Sequence, residues 1–201
     1  MTQPPAMHQR IGLLGGTFDP VHIGHLVTGL NVRHLLDLDV VLFVVAHHPW
    51  QKADRDVTDS RHRFDMVAAA VAGHEGLEAS DLEIRRGGRS LTADTLGDLA
   101  TAHPGAELFL IVGRDQAANL DTWERVGEIQ ALATLVVVDR PGFAGMRSTG
   151  GWRVLEVEVP VLEVSSSDLR DRMAAGRPVD WLVPEESLRV ARERGLYGLP
   201  G

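Results

Sequence analysis

Val40-Val41-Leu42-Phe43-Val44-Val45 is a run without a single polar side chain. A strand with one face in water alternates apolar and polar residues. An unbroken, largely β-branched run instead suits a strand covered on both faces, as in a parallel sheet between two layers of helices. Apolar runs return at 11–14, 107–112 and 134–139. Helical spacing lies between them: Ile23, Leu26, Val27 and Leu30, ending near Asp37, then Phe64, Val67, Ala68 and Val71 in a helix from about Asp59. Strands that alternate with helices imply crossover connections. The expected fold is a single α/β domain over residues 1–201, with a doubly wound, mainly parallel sheet.

Composition narrows the function. The 201 residues, 44% of them hydrophobic, suffice for one sizeable core. There is no cysteine, so neither disulfides nor thiolate chemistry can operate. No apolar run has the length of a membrane span. Residues 1–7 contain Pro4-Pro5 and lack the apolar centre of a signal peptide; they read as a flexible tail, with Met7 an alternative start, and the expected location is cytoplasmic. A net charge of −8 argues against a nucleic-acid polymer as partner, because such binding needs a basic face. A nucleotide ligand would need positive charge gathered locally.

The most informative stretch is Gly15-Gly16-Thr17-Phe18-Asp19-Pro20-Val21-His22-Ile23-Gly24-His25. It joins an apolar strand to an amphipathic helix. The glycines let backbone approach a ligand without a Cβ in the way. The helix start adds free N–H groups and a positive dipole end, which suit phosphate. His22 and His25 are three residues apart and share a face. Completing a zinc set with His47 and His48 is an alternative, but no cysteine or carboxylate cluster supports it.

Other candidates recur at strand ends. Lys52 closes the loop His47-His48-Pro49-Trp50-Gln51-Lys52, where it reads as a surface lysine or a phosphate ligand; His47, His48 and Trp50 have no assigned role. Gly113-Arg114-Asp115 follows the run at 107–112, where a carboxylate serves ribose hydroxyls or a helix cap, and Arg140 ends the run at 134–139. Ser165-Ser166-Ser167-Asp168-Leu169-Arg170 has capping-box spacing, plus an arginine that capping does not explain. Hydroxyls, free N–H groups and a guanidinium at one helix start make a polyphosphate clamp. Residues 82–84 are a short strand candidate, and Ser90 or Thr92 is the cap of the helix that follows. Trp123 opens a helix at 121–124, where core packing explains it. The charged face at 61–65 reads as solvated, 142–151 as a mobile loop, and 154–164 as a strand broken by Pro160. A helix from Pro184 ends before Gly195.

His22-Ile23-Gly24-His25 resembles the first signature of the (His/Thr)-x-Gly-His nucleotidyltransferase superfamily, and its lead-in Gly15–Pro20 resembles the nicotinate mononucleotide adenylyltransferase branch. The segment Ser90-Leu91-Thr92-Ala93-Asp94-Thr95 is similar to that branch's Ser-Tyr-Thr-x-Asp-Thr, with Leu91 in place of tyrosine. Ser165–Arg170 is similar to its Ser-Ser-Thr-x-x-Arg, with Ser167 in place of threonine. The resemblance runs from Gly15 to Tyr197 and implies a Rossmann-like fold and ATP-dependent adenylyl transfer to nicotinate mononucleotide. By the same resemblance His22, His25 and Arg170 are catalytic. Gly15, Gly16, Thr17, Phe18, Lys52, Gly113, Asp115, Arg140, Ser166 and Ser167 bind ATP and its phosphates, and Thr92 and Trp123 meet the nicotinate mononucleotide. Mg²⁺ is implied, carried by substrate phosphates, with no protein metal ligands; no membrane partner is implied, and a homo-oligomer is left open. Phosphopantetheine or a cytidylyl-transfer substrate remains an alternative, as does a nucleotide sensor without turnover. The P-loop pattern and the full dinucleotide glycine fingerprint are both absent.

Overall fold

The computed structural model describes residues 9–49, 57–139, 150–160 and 162–200. Strands β1 (Arg10–Gly16), β2 (Val40–Val45), β3 (Leu77–Ser80), β4 (Glu107–Gly113), β5 (Ala133–Asp139) and β6 (Val154–Glu158) form one sheet in the order β3-β2-β1-β4-β5-β6. Every neighbouring pair is parallel. The apolar run that excludes a wet face belongs to β2: Val41, Phe43 and Val45 enter one core, while Val40, Leu42 and Val44 enter the other.

Helices α1 (Ile23–Leu35) and α2 (Ser60–Val71) cover the first face, contributing Val32, Met66, Val67 and Ala70. Helices α3 (Leu82–Arg86) and α4 (Thr92–Ala102) follow β3, and α4 covers the second face through Ala93, Leu96 and Leu99. A short α5 (Arg114–Ala117) and α6 (Val126–Leu132) follow β4; Ile129 of α6 joins the second core. Helices α7 (Ser166–Ala174) and α8 (Glu185–Glu193) end the chain around Leu169, Met173 and Leu188. The first half of the chain winds outward from β1 through β2 to β3. The second half starts again on the other side of β1, with β4. The crevice outside the carboxyl ends of β1 and β4 is therefore the topological switch point, where open α/β sheets take ligands.

Several expectations need correction. Residues 82–84 are helical, and the edge strand lies earlier, at Leu77–Ser80, where backbone pairs with Val41 to Val44. Trp123 does not open a helix: it follows a 3₁₀ turn at Leu120–Thr122, and α6 starts only after Arg125, whose backbone is left-handed at φ 59°. The cap of α4 is Leu91, with no side-chain cap bond, and Thr92 is its first residue. Strand β6 ends at Glu158, before Pro160 removes a ladder donor. In α2 the buried face holds Ser60, Arg63, Met66, Val67, Ala70 and Val71, so Arg63 is not solvated.

Candidate active site

An open cleft of about 620 Å³ lies over the carboxyl ends of the strands. Gly15, Gly16, Thr17 and Phe18 line it from β1, His22 and His25 from α1, Gly113 and Asp115 beyond β4, and Ser165, Ser166 and Ser167 from the start of α7. Thr92 and Trp123 line the same cleft. Residues from six places along the chain thus meet there.

The glycine turn has a specific steric cause. Phe18 adopts a left-handed backbone, φ 50°, and its ring folds back over Gly16: a Cβ there would come within 2.7 Å of the ring's Cζ. The same ring meets the His25 imidazole edge-on at 4.9 Å and lies 6.0 Å from that of Phe43. Gly24 serves the next turn in the same way. A Cβ on it would stand 3.1 Å from both His22 Nδ1 and Val164 Cγ1, so glycine leaves room for the His22 ring against the helix.

His22 is the cap of α1 and only 7% exposed. Its imidazole stacks on that of His25 with 3.7 Å between centroids and 28° between planes. Burial pushes the His22 pKa down to about 4, so the ring is neutral at neutral pH. Its Nδ1 is buried and has no hydrogen-bond partner among the described residues. The His22 backbone N–H donates to His25 Nδ1 at 3.2 Å. A nitrogen that accepts carries no proton, so the proton of the His25 ring sits on Nε2 and that nitrogen is a donor.

Asp19 is 4% exposed and ties distant segments to the turn. Its Oδ1 accepts from the Tyr197 hydroxyl at 2.7 Å and its Oδ2 from the Thr58 N–H at 3.4 Å. Burial and then the Asp19 charge push the Tyr197 phenol above its usual range, so it stays a donor. Arg170 does not line the cleft: its Nη1 donates to the Asp19 carbonyl at 2.6 Å and its Nη2 to Ser167 Oγ at 3.3 Å. The capping reading of Ser165 holds, since its Oγ accepts from the Asp168 N–H at 3.1 Å. Ser166 Oγ donates to the Pro20 carbonyl at 2.9 Å, fastening α7 to the turn after β1.

At the opposite wall, Gly113 leaves space for the Asp115 carboxylate, whose Oδ1 would be 2.8 Å from a Cβ there. Helix α4 is tied to α3: Thr95 Oγ1 donates to Glu83 Oε1 at 2.6 Å, and Arg86 reaches both Thr95 Oγ1 at 3.2 Å and Asp98 at 2.8 Å. Ion pairs Arg89–Glu124 and Arg125–Asp94 join the Thr92 turn to the Trp123 segment across more than thirty residues.

Sequence reasoning missed Arg63. It is 1% exposed, and its guanidinium donates to the carbonyls of Thr17 (2.6 Å), Ala46 (2.7 Å) and Thr58 (2.7 Å). Burial disfavours its charge, yet a guanidinium stays protonated in proteins. The available signal was spacing, because residue 63 falls three and four positions before Met66 and Val67 on the apolar face.

Lys52, Arg140 and Trp50 lie outside the described residues, as does most of 142–151. His47 and His48 tilt against one another at 4.1 Å, and His47 Nδ1 meets Ser60 Oγ at 3.1 Å. Among the described residues, no three His, Asp or Glu side chains gather as a metal site, and no helix is long and apolar enough to cross a membrane.

The sequence model of the cytidylyltransferase-like family matches residues 13–172. A protein of Corynebacterium kroppenstedtii named "Probable nicotinate-nucleotide adenylyltransferase" is 41% identical over 198 residues, 97% of this chain and 94% of that one. One of Frankia casuarinae with the same name is 44% identical over 189 residues, 92% of this chain and 98% of that one. Among solved structures, Plasmodium falciparum nicotinic acid mononucleotide adenylyltransferase complexed with NaAD superposes with a TM-score of 0.79 over 96% of this chain and 99% of that one. At 18% identity, that likeness establishes the fold.

Proposed function

The chain belongs to the cytidylyltransferase-like family, and from that membership we propose that it is a nicotinate-nucleotide adenylyltransferase. It transfers AMP from ATP to nicotinate mononucleotide, giving nicotinate adenine dinucleotide and pyrophosphate. The observation that carries the reading is the meeting of the stacked His22–His25 pair with the serine start of α7 in one cleft at the switch point. Two helix starts aimed into one hollow suit a polyphosphate.

The acceptor's 5′-phosphate oxygen attacks the α-phosphorus of ATP in line. A new P–O bond forms as the bond to the β-phosphate oxygen breaks, and pyrophosphate leaves with the electron pair. No protein nucleophile takes part, so the chief task is to hold two mutually repelling anions at reacting distance. His25 Nε2–H donates to oxygen gaining charge, and neutral His22 sits beside it without adding a positive charge that the stack would have to tolerate. The Ser167 hydroxyl and the first-turn N–H groups of α7, that of Ser166 among them, take the outer phosphates. Arg170 stiffens that turn through Ser167 and Asp19. Lys52 and Arg140 add positive charge, and Asp115 takes ribose hydroxyls. Mg²⁺ enters as the magnesium complex of ATP and thus as part of the substrate.

The acceptor's carboxylate lies at the start of α4, where Thr92 and free N–H groups favour an anion, with Trp123 against the pyridine ring. A carboxamide would point its NH₂ at donors. Hydrogen bonds to charged groups contribute roughly 1.5–3 kcal/mol, so nicotinate mononucleotide should exceed its nicotinamide analogue by at least about tenfold in kcat/KM. Pyrophosphate release with magnesium, ATP and either acceptor, or phosphopantetheine, tests the reading. Release with nicotinate mononucleotide supports it. Nucleotide binding without release from any acceptor overturns it.

A further inference from the structure

Arg63 stands outside every motif that carries the functional reading, yet it is the most buried charged side chain among the described residues. Its hydrogen bonds among them all go to carbonyl oxygens: Thr58, Thr17, Ala46 and, at 3.4 Å, His47. Those carbonyls belong to three loops, namely the turn after β1, the end of β2 and the lead into α2. Thr17 and Ala46 both line the cleft.

The peptide between Thr17 and Phe18 links this staple to chemistry. Across a trans peptide the C=O and N–H point in opposite directions. With the Thr17 carbonyl held toward α2, the Phe18 N–H is turned away from Arg63, and Phe18 is itself part of the cleft wall. That N–H has no backbone acceptor among the described residues. A backbone donor in the wall of that cleft, with no partner among the described residues, is completed by an anionic oxygen.

We propose that Arg63 is a positioning residue for the transfer: it aims the Phe18 N–H at an oxygen of the bound phosphates and holds that turn in register with the end of β2. The inference rests on the cleft being the phosphate site of the reading above. Lysine cannot substitute. A planar fork with five donors serves carbonyls lying in several directions, whereas an ammonium is a single point with a different reach. The arrangement exists before ligand binds, so no reorganisation is needed as charge develops.

The test uses Arg63→Lys and Arg63→Met beside the parent protein, with thermal melting recorded for each. Misplacing reacting groups by about 1 Å costs on the order of 10²-fold, so folded Arg63→Lys should lose roughly 10–10²-fold in kcat, and Arg63→Met at least as much. A role in stability alone lowers the melting temperature but leaves kcat and KM of the folded protein unchanged; kinetics within twofold of the parent in folded Arg63→Lys overturn the proposal. Should neither variant fold, the parent decides. Titration with inorganic pyrophosphate should shift the Phe18 amide resonance saturably, and an unmoved Phe18 amide, with neighbouring amides responding, overturns the proposal. If the parent binds pyrophosphate through Phe18 but releases none from ATP with any acceptor, the catalytic reading fails separately.

Discussion

The imidazoles of His22 and His25 are stacked 3.7 Å apart, and the His22 N–H donates to the Nδ1 of His25. Burial keeps His22 neutral, so its ring stacks on that of His25 without adding a charge. The contact also sets the tautomer of His25 and leaves Nε2 as its donor. The spacing His-x-x-His is therefore a device for presenting one oriented N–H, braced by the ring behind it.

The first prediction concerns that donor. His25→Ala should lower kcat by roughly 10²–10³, the cost of losing one donor to a developing oxyanion, while ATP binding falls less. Steady-state kinetics with a separate measurement of ATP binding check it. Near-normal turnover in the folded variant would remove His25 from the chemistry.

His22 ties stability to pH. Its folded pKa is lowered from 6.5 to about 4, so below pH 6.5 the unfolded chain takes up a proton that the folded protein refuses. The stability that the neutral ring contributes is whole above pH 6.5 and is lost as pH falls toward 4, amounting to about 3 kcal/mol. His22→Asn cannot titrate. Urea unfolding of both proteins at pH 7 and pH 4.5 should show the parent losing more stability than the variant; parallel losses would contradict a buried, neutral His22.

Tyr197 offers a test of the loop's anchoring. Its hydroxyl is the closest donor to the buried Asp19 carboxylate, at 2.7 Å. Tyr197→Phe leaves that oxygen short of a donor at almost constant volume and should cost about 1–3 kcal/mol. Because Arg170 holds the Asp19 carbonyl, loosening this residue should also lower kcat more than it raises the KM for the acceptor. Unchanged stability would mean that water replaces the phenol without cost.

Much of this protein is determined by local sequence. The polar-free run at 40–45 dictates a strand buried on both faces, because neither side has a group that water would solvate better than the cores do. Ser165 and Asp59 cap their helices as short polar side chains do, through contacts within three residues. The Gly-Gly turn and the histidine pair are legible for the same reason: their chemistry lies in residues adjacent in the chain. Tertiary structure decided the rest. Residues 77–84 contain both a strand and a helix, and which part pairs was set by the free edge of β2 rather than by propensity. Trp123 lost its helix to a left-handed Arg125 whose ion pair reaches back to Asp94. Arg170, whose spacing suggested a direct phosphate ligand, turns to the Asp19 carbonyl, 151 residues away. Arg63, which local charge patterning put in water, is drawn inside because three loops, distant in sequence, present carbonyls that only the assembled fold brings together and only a buried donor can satisfy.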